Sequence, residues 1–140
     1  MSASHFRELE VWQVAMSLVR KVYALTADWP AEHRFGLAAQ IQRASVSIPS
    51  NIAEGNARRN RREYLQYLGI ASGSTAEVQT QLLIAQDLRL GEMHALEQAL
   101  MVVERVSQML RRLQQALQPG ATTASRVPGP GSRFNERTDS

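Results

Sequence analysis

The sequence predicts an all-α protein, an antiparallel up-down four-helix bundle with helix two kinked near Pro49. Three observations carry this expectation. Apolar residues recur at three- and four-residue intervals through four long windows, the spacing of one helix face. Short stretches holding proline, glycine or an arginine-rich turn separate those windows. No window shows the strict alternation of a half-buried strand. Short connections between long helices favour antiparallel neighbours. A chain of 140 residues suffices for one domain with a real core and not for two. The bundle is expected over 1–118. Residues 119–140, rich in Pro, Gly, Ser and Thr, read as a disordered C-terminal tail.

Helix one is predicted over 8–27. Trp12, Ala15, Met16, Val19, Val22, Tyr23 and Thr26 follow one face, and Val11, Leu18 and Leu25 form a second row beside it. The combined stripe is wider than a two-helix seam needs, so it suits several neighbours, within the bundle or across a subunit contact. Asp28-Trp29-Pro30 is the first break, with Pro30 suited to the first turn of the next helix. Helix two is expected from about 31 to 54, through Phe35, Leu37, Ala38, Ile41, Ala44, Ser45, Ile48 and Ile52. Pro49 removes the hydrogen bond to the Ser45 carbonyl, which predicts a kink near 45–49 and not a full stop. Ser45, Ser47 and Ser50 are placed to satisfy the freed carbonyls, and Gly55 to supply a left-handed cap.

Asn60-Arg61-Arg62-Glu63 has the pattern of a capping box, so helix three is expected from about 61 to 88. Its core row is Tyr64, Leu68, Ala71, Thr75, Val78, Leu82 and Ala85. Gly69 and Gly73 crowd its middle, where glycine costs roughly 1 kcal/mol against alanine, and such positions often admit another backbone. Gln79 and Gln81 cannot both face the core; one is expected in an interhelical or intersubunit hydrogen bond, the other in solvent. Gly91 opens the last connection. Helix four follows over about 92–117, with Met93, Leu96, Leu100, Val103, Ser107, Leu110, Gln114 and Leu117 as its stripe.

Charge is concentrated in one place. Net charge is +3, but residues 1–54 and 91–117 each balance. The excess of the bundle lies in 55–90, where Arg58, Arg59, Arg61 and Arg62 fall within five positions. Arginine offers a planar fork of donors suited to phosphate, and each neutralised phosphate releases counterions. The bland alternative is a solvated helix start, with Glu54 and Glu63 pairing some of the charge. Cations at a helix N-terminus oppose the helix dipole, which tips the reading towards use. Tyr67 lies beside them; packing is the favoured role there over stacking on a base.

Several classes are not supported by the residues. Cysteine is absent, so disulfides and thiolate metal sites are excluded. His5, His33 and His94 show no ligand spacing, and no metal or cofactor is expected. Ser45, Ser47 and Ser50 lack a nucleophile elbow and a base, so no enzyme is expected. The first residues carry no signal-peptide run, no window reaches a membrane span, and a cytoplasmic setting is expected.

The placed helices carry a resemblance. Phe6-Arg7-Glu8-Leu9-Glu10-Val11-Trp12-Gln13, Arg34-Phe35-Gly36-Leu37, Ser47-Ile48-Pro49-Ser50-Asn51-Ile52-Ala53-Glu54-Gly55 and Glu77-Val78-Gln79-Thr80-Gln81-Leu82 resemble, in the same order, the hallmarks of the ribosomal-RNA intervening-sequence proteins. The resemblance covers about residues 6–117, and the run around Pro49 is its most specific part. It implies a four-helix bundle assembling into a ring-like homopentamer. It also implies kinship with the accessory variability proteins of diversity-generating retroelements, basic bundles that bind nucleic acid and a reverse transcriptase. The resulting expectation is a non-enzymatic homo-oligomeric accessory or scaffold protein. It would bind RNA or DNA through backbone phosphates at Arg58, Arg59, Arg61 and Arg62, with a reverse transcriptase or another protein as partner. The alternative is an assembly module that recruits a protein without binding nucleic acid.

Overall fold

A computed structural model describes residues 5–119; the tail expected over 119–140 lies outside the described residues except for Pro119. Four long helices, α1 (Glu10–Thr26), α2 (Leu37–Asn56), α3 (Arg61–Asp87) and α4 (Met93–Leu117), are joined by short connections. The described residues contain no strand. Each helix packs on the next, and α1 closes the bundle against α4. Side-chain pairs fix the register. Ser74 Oγ donates to Ser47 Oγ at 2.8 Å. Across α3 and α4, Ser72 bonds Gln114 and Gln79 bonds Glu104, so positions rise on one helix as they fall on the other. The Arg105–Glu10 ion pair joins the middle of α4 to the start of α1.

The core is a set of heptad-like rows. α1 contributes Val11, Ala15, Leu18, Val22 and Leu25; α4 contributes Leu96, Ala99, Val103, Val106 and Leu110. Burying one such aliphatic side chain stabilises by about 1.5–3 kcal/mol. On α1 the core draws on both expected rows: Ala15, Val22 and Thr26 of the first are buried along with the second. Val11, Leu18 and Leu25 point inward, whereas Trp12, Met16 and Val19 are only half-buried and Tyr23 is 47% exposed. Two adjacent apolar rows have the same spacing, so spacing alone does not say which one meets the neighbouring helices. On α4, Ala99 and Val106 take the buried places expected for Leu100 and Ser107, for the same reason. On α3 the expected row is buried from Leu68 to Ala85, and Tyr64 stands half-buried at its edge.

Helix two departs from expectation at both ends. The chain makes a separate 3-10 turn at Ala31–His33, and α2 begins only at Leu37, after the non-helical Gly36. Phe35 is thereby left 89% exposed instead of in the core. At the other end α2 runs to Asn56, and Gly55 is helical and buried instead of being a left-handed cap. Pro49 sits buried inside an uninterrupted helix. Ser45 Oγ donates to the Gln42 carbonyl, and Asn51 Nδ2 to the Ser47 carbonyl and hydroxyl. The serines thus serve carbonyls and hydroxyls other than the Ser45 carbonyl freed by Pro49. A bend at 45–49 stays our proposal, measurable by residual dipolar couplings on either side of Pro49.

The connection from α3 to α4 follows the same logic. Leu90 N–H donates to the Ala85 carbonyl and Arg89 N–H to that of Gln86, a Schellman arrangement with Arg89 in the left-handed region at φ 55. Gly91 follows at φ 72, and a Cβ there would lie 3.0 Å from the ring of buried Trp29. Glycine is required at 91 by conformation and by space together.

Of the two glutamines weighed on helix three, Gln79 makes the interhelical bond, to Glu104 on α4. Gln81 is not in solvent: it is 5% exposed, and its Oε1 has no hydrogen-bond partner among the described residues. An orphaned buried acceptor costs about 1–3 kcal/mol. Gln81→Leu is therefore expected to raise stability by about that amount, seen as a higher urea midpoint at unchanged m. Loss of stability would mean instead that the oxygen holds a partner.

Candidate functional site

The four arginines lie where α2 turns into α3, and the local chemistry of that turn sets their roles. Asn60 Oδ1 accepts from Glu63 N–H at 2.8 Å and caps α3. This is one half of the expected capping box; the cap forms through Asn60, and Glu63 remains an acid in the first turn, where the dipole favours it. Arg58 and Arg59 occupy the turn itself, and Arg61 and Arg62 open the helix.

Beneath the turn, α2 and α3 meet closely. A Cβ added to Gly55 would lie 2.8 Å from Tyr67 Cβ, 3.0 Å from Tyr64 Cδ1 and 3.2 Å from the Tyr64 carbonyl oxygen. Two of these are fixed by the α3 backbone and cannot swing away. Asn56 Nδ2 donates to Tyr64 OH across the same corner. Gly55→Ala is expected to push the helices apart here and to cost about 1–3 kcal/mol, read as a fall in melting temperature. An unchanged melting temperature would contradict the close approach.

The arginines do not share one role. Arg58 Nη2 donates to Glu54 Oε2 at 2.6 Å and to Tyr67 OH at 2.8 Å, and its guanidinium lies 4.9 Å from the Tyr67 ring centroid. Arg58 is held in place by a carboxylate, a phenol and an aromatic face. Such a surface pair contributes only about 0–1 kcal/mol, but it neutralises one cation and fixes its direction. Arg59, Arg61 and Arg62 are exposed and form no ion pair among the described residues. Three unpaired guanidinium groups thus project from one turn and the first turn of a helix, with Arg58 braced behind them. Tyr67 is half-buried and used as a brace, in line with the packing role expected for it.

Chemically, the three exposed guanidinium groups offer donors and a positive field, with Glu54 turned to Arg58 and Glu63 in the first turn of α3. They can bind phosphate or carboxylate by bidentate forks. Among the described residues, no group of three or more His, Asp or Glu side chains is placed to hold a metal ion. No helix among the described residues is long and apolar enough to cross a membrane.

Two further surfaces give shape to the wide stripe of helix one and the glycines of helix three. One is an apolar groove of about 370 Å3 between α1 and α2, lined by Trp12, Met16, Val19, Val46, Pro49 and Ala53. The wide stripe of helix one was its signal. The other is the outer face of α3. Among the described residues, a Cβ on Gly69 or Gly73 would meet nothing within 4 Å, so no neighbouring helix approaches either glycine. Ile70 is exposed beside Gly69, and Leu83 and Ile84 are exposed farther along α3.

Comparison with known families gives one result. The model of the 23S rRNA-intervening sequence protein family matches residues 7–112. No curated protein matches the chain.

Proposed function

We propose that this chain, which belongs to the 23S rRNA-intervening sequence protein family, is a nucleic-acid-associated accessory or scaffold protein that binds backbone phosphates without catalysing a reaction. The observation that carries the reading is the set of exposed, unpaired guanidinium groups of Arg59, Arg61 and Arg62 at the start of α3. Arg58 assists by shape: its pairing with Glu54 and Tyr67 holds the turn from which the others project. Phosphate contacts position a protein on nucleic acid and carry no sequence information directly. Binding is therefore expected to be steeply salt-dependent and nearly indifferent to sequence. Titration of labelled RNA and DNA across salt concentration tests this; a sequence-selective complex that withstands salt would reject it.

The same protein is read as a homo-oligomer, with the family resemblance favouring five subunits in the cytosol. Two apolar surfaces support self-association. The α1–α2 groove and the glycine-bearing face of α3 lie on different sides of the bundle, so one can meet the other on a neighbouring copy and close a ring. Glycine in a helix middle costs about 1 kcal/mol against alanine, a cost that close approach by a second backbone would offset. Sedimentation velocity at micromolar concentration decides: a ring-sized species supports the reading, a monomer rejects it, and a dimer or tetramer rejects only the pentamer.

A reverse transcriptase or another protein is proposed as a further partner, by the kinship with accessory variability proteins. The second reading, an assembly module that recruits a protein and leaves nucleic acid alone, draws on the exposed apolar face of α3. It gains if the arginine variants and the wild type give indistinguishable nucleic-acid curves.

A further inference from the structure

We propose that the site takes single-stranded nucleic acid, with one unstacked base seated in an apolar groove beside Arg61 and Arg62 and the adjoining phosphates on those two guanidinium groups. This deepens the function proposed above and rests on it. The groove opens at the end of the bundle where α3 begins and α4 finishes. Arg61, Arg62, Leu65, Gln66 and Pro119 line a space of about 570 Å3. That is the size of a small-ligand pocket, about 300–1,000 Å3. The α3 residues among them stand at i, i+1, i+4 and i+5, so they share one face over its first two turns. The wall is mostly apolar, because long polar side chains lay their methylene stems along a surface while their heads reach water. Leu65 is half-buried yet lies outside the hydrophobic core, so its side chain serves this wall and not helix packing.

A phosphate alone needs no apolar wall. Arg61 and Arg62 are exposed and hold no carboxylate among the described residues, so the rim of the groove is positive. A positive rim over an apolar floor matches a nucleotide, which joins an anion to a flat ring with apolar faces and polar edges. Leu65 and Pro119 offer surface to a base face, and a guanidinium plane can stack on it. The Gln66 amide carries both a donor and an acceptor for a base edge. Every base has a π-face, and an amide can turn to suit either kind of partner, so the seat is tolerant of sequence. In a duplex the bases are paired and stacked, and only phosphates meet the arginines. A duplex carries one charge per about 1.7 Å of its axis, so phosphate contacts by themselves favour it over a single strand. A preference for the single strand is therefore the mark of the groove.

Base seating and phosphate binding are separated by the choice of strand. Three labelled probes of equal length are titrated against the full-length protein at matched salt: oligothymidylate, a fully abasic strand with the same phosphates, and the duplex of oligothymidylate with its complement. Oligothymidylate is expected to bind about three- to tenfold more tightly than either of the others, from the apolar area that one seated base removes from water. Leu65→Gln keeps the charge and approximate size of the wall and removes apolar surface. It is expected to lower oligothymidylate affinity to that of the abasic strand with the salt slope unchanged, because the phosphate contacts remain. Equal wild-type affinities for oligothymidylate and the abasic strand would overturn the proposal and leave the phosphate reading standing. A duplex bound as tightly as the single strand would do the same. A base preference that survives Leu65→Gln would put the base elsewhere and overturn the role of the groove. If that variant instead loses oligomer size while keeping its base preference, the groove belongs to a contact with a neighbouring copy. Binding of none of the three probes would reject the phosphate reading, and this proposal with it.

Discussion

Ile48→Ala is expected to destabilise the bundle by about 2–5 kcal/mol. Ile48 is fully buried on α2, one residue before Pro49, with Ile41, Ala44 and Ile52 on the same face. Removing three carbons forfeits their transfer free energy and leaves a cavity that a helix already holding a proline is poorly placed to close. Against a typical domain stability of about 5–15 kcal/mol, this is enough to bring the protein near unfolding at elevated temperature. Urea unfolding of wild type and variant gives the number directly. A cost under about 1 kcal/mol would place Ile48 at a site that collapses freely, and the description of α2 as a core helix would fail.

The second large effect concerns binding. Replacing Arg59, Arg61 and Arg62 together by Ala is expected to remove about three phosphate contacts and to lower the salt slope of binding by about 2–3, using roughly 0.7–0.9 per contact. Helix content and oligomer size are expected to stay as in wild type, because these side chains are exposed and stand off the core rows. The corresponding Lys variant separates charge from geometry. It retains most of the affinity if field dominates and loses more if bidentate forks matter. Arg58→Ala behaves differently. It releases Glu54 and Tyr67 from their bonds with Arg58, so it loosens the turn and acts on the phosphate contacts only through that. An Arg58→Ala variant as weak as the triple variant would contradict this division of labour.

Helix number, the membership of the α3 core row and the position of the arginine turn were legible in the sequence, since each rests on local spacing. Leu68, Ala71, Thr75, Val78, Leu82 and Ala85 are buried as their periodicity predicts. Choices between equal periodicities were not legible. Val11, Leu18 and Leu25 against Trp12, Met16 and Val19 is decided by which neighbours close around α1, and that is a tertiary fact. Gly55 illustrates a second limit. Its place at the end of a helical pattern signals a cap, but here the close approach of Tyr64 and Tyr67 sets the need for glycine. The start of α2 illustrates a third, because an apolar Phe35 extends the helical pattern although Gly36 interrupts the chain after it. At the site, four adjacent arginines look equivalent. Only the reach of Arg58 back to Glu54 and across to Tyr67 divides them into a brace and three free cations.

The account turns on phosphate binding by those free cations, and one measurement meets it directly: the equilibrium affinity of full-length protein for a labelled single-stranded RNA, followed over a series of salt concentrations, for wild type and for the Arg59→Ala, Arg61→Ala, Arg62→Ala triple variant. The account predicts a steep linear fall of log affinity with log salt for wild type, and for the triple variant a weaker affinity with a slope shallower by about 2–3. Superimposable lines for the two proteins would contradict it and leave the arginine corner without a part in nucleic-acid binding.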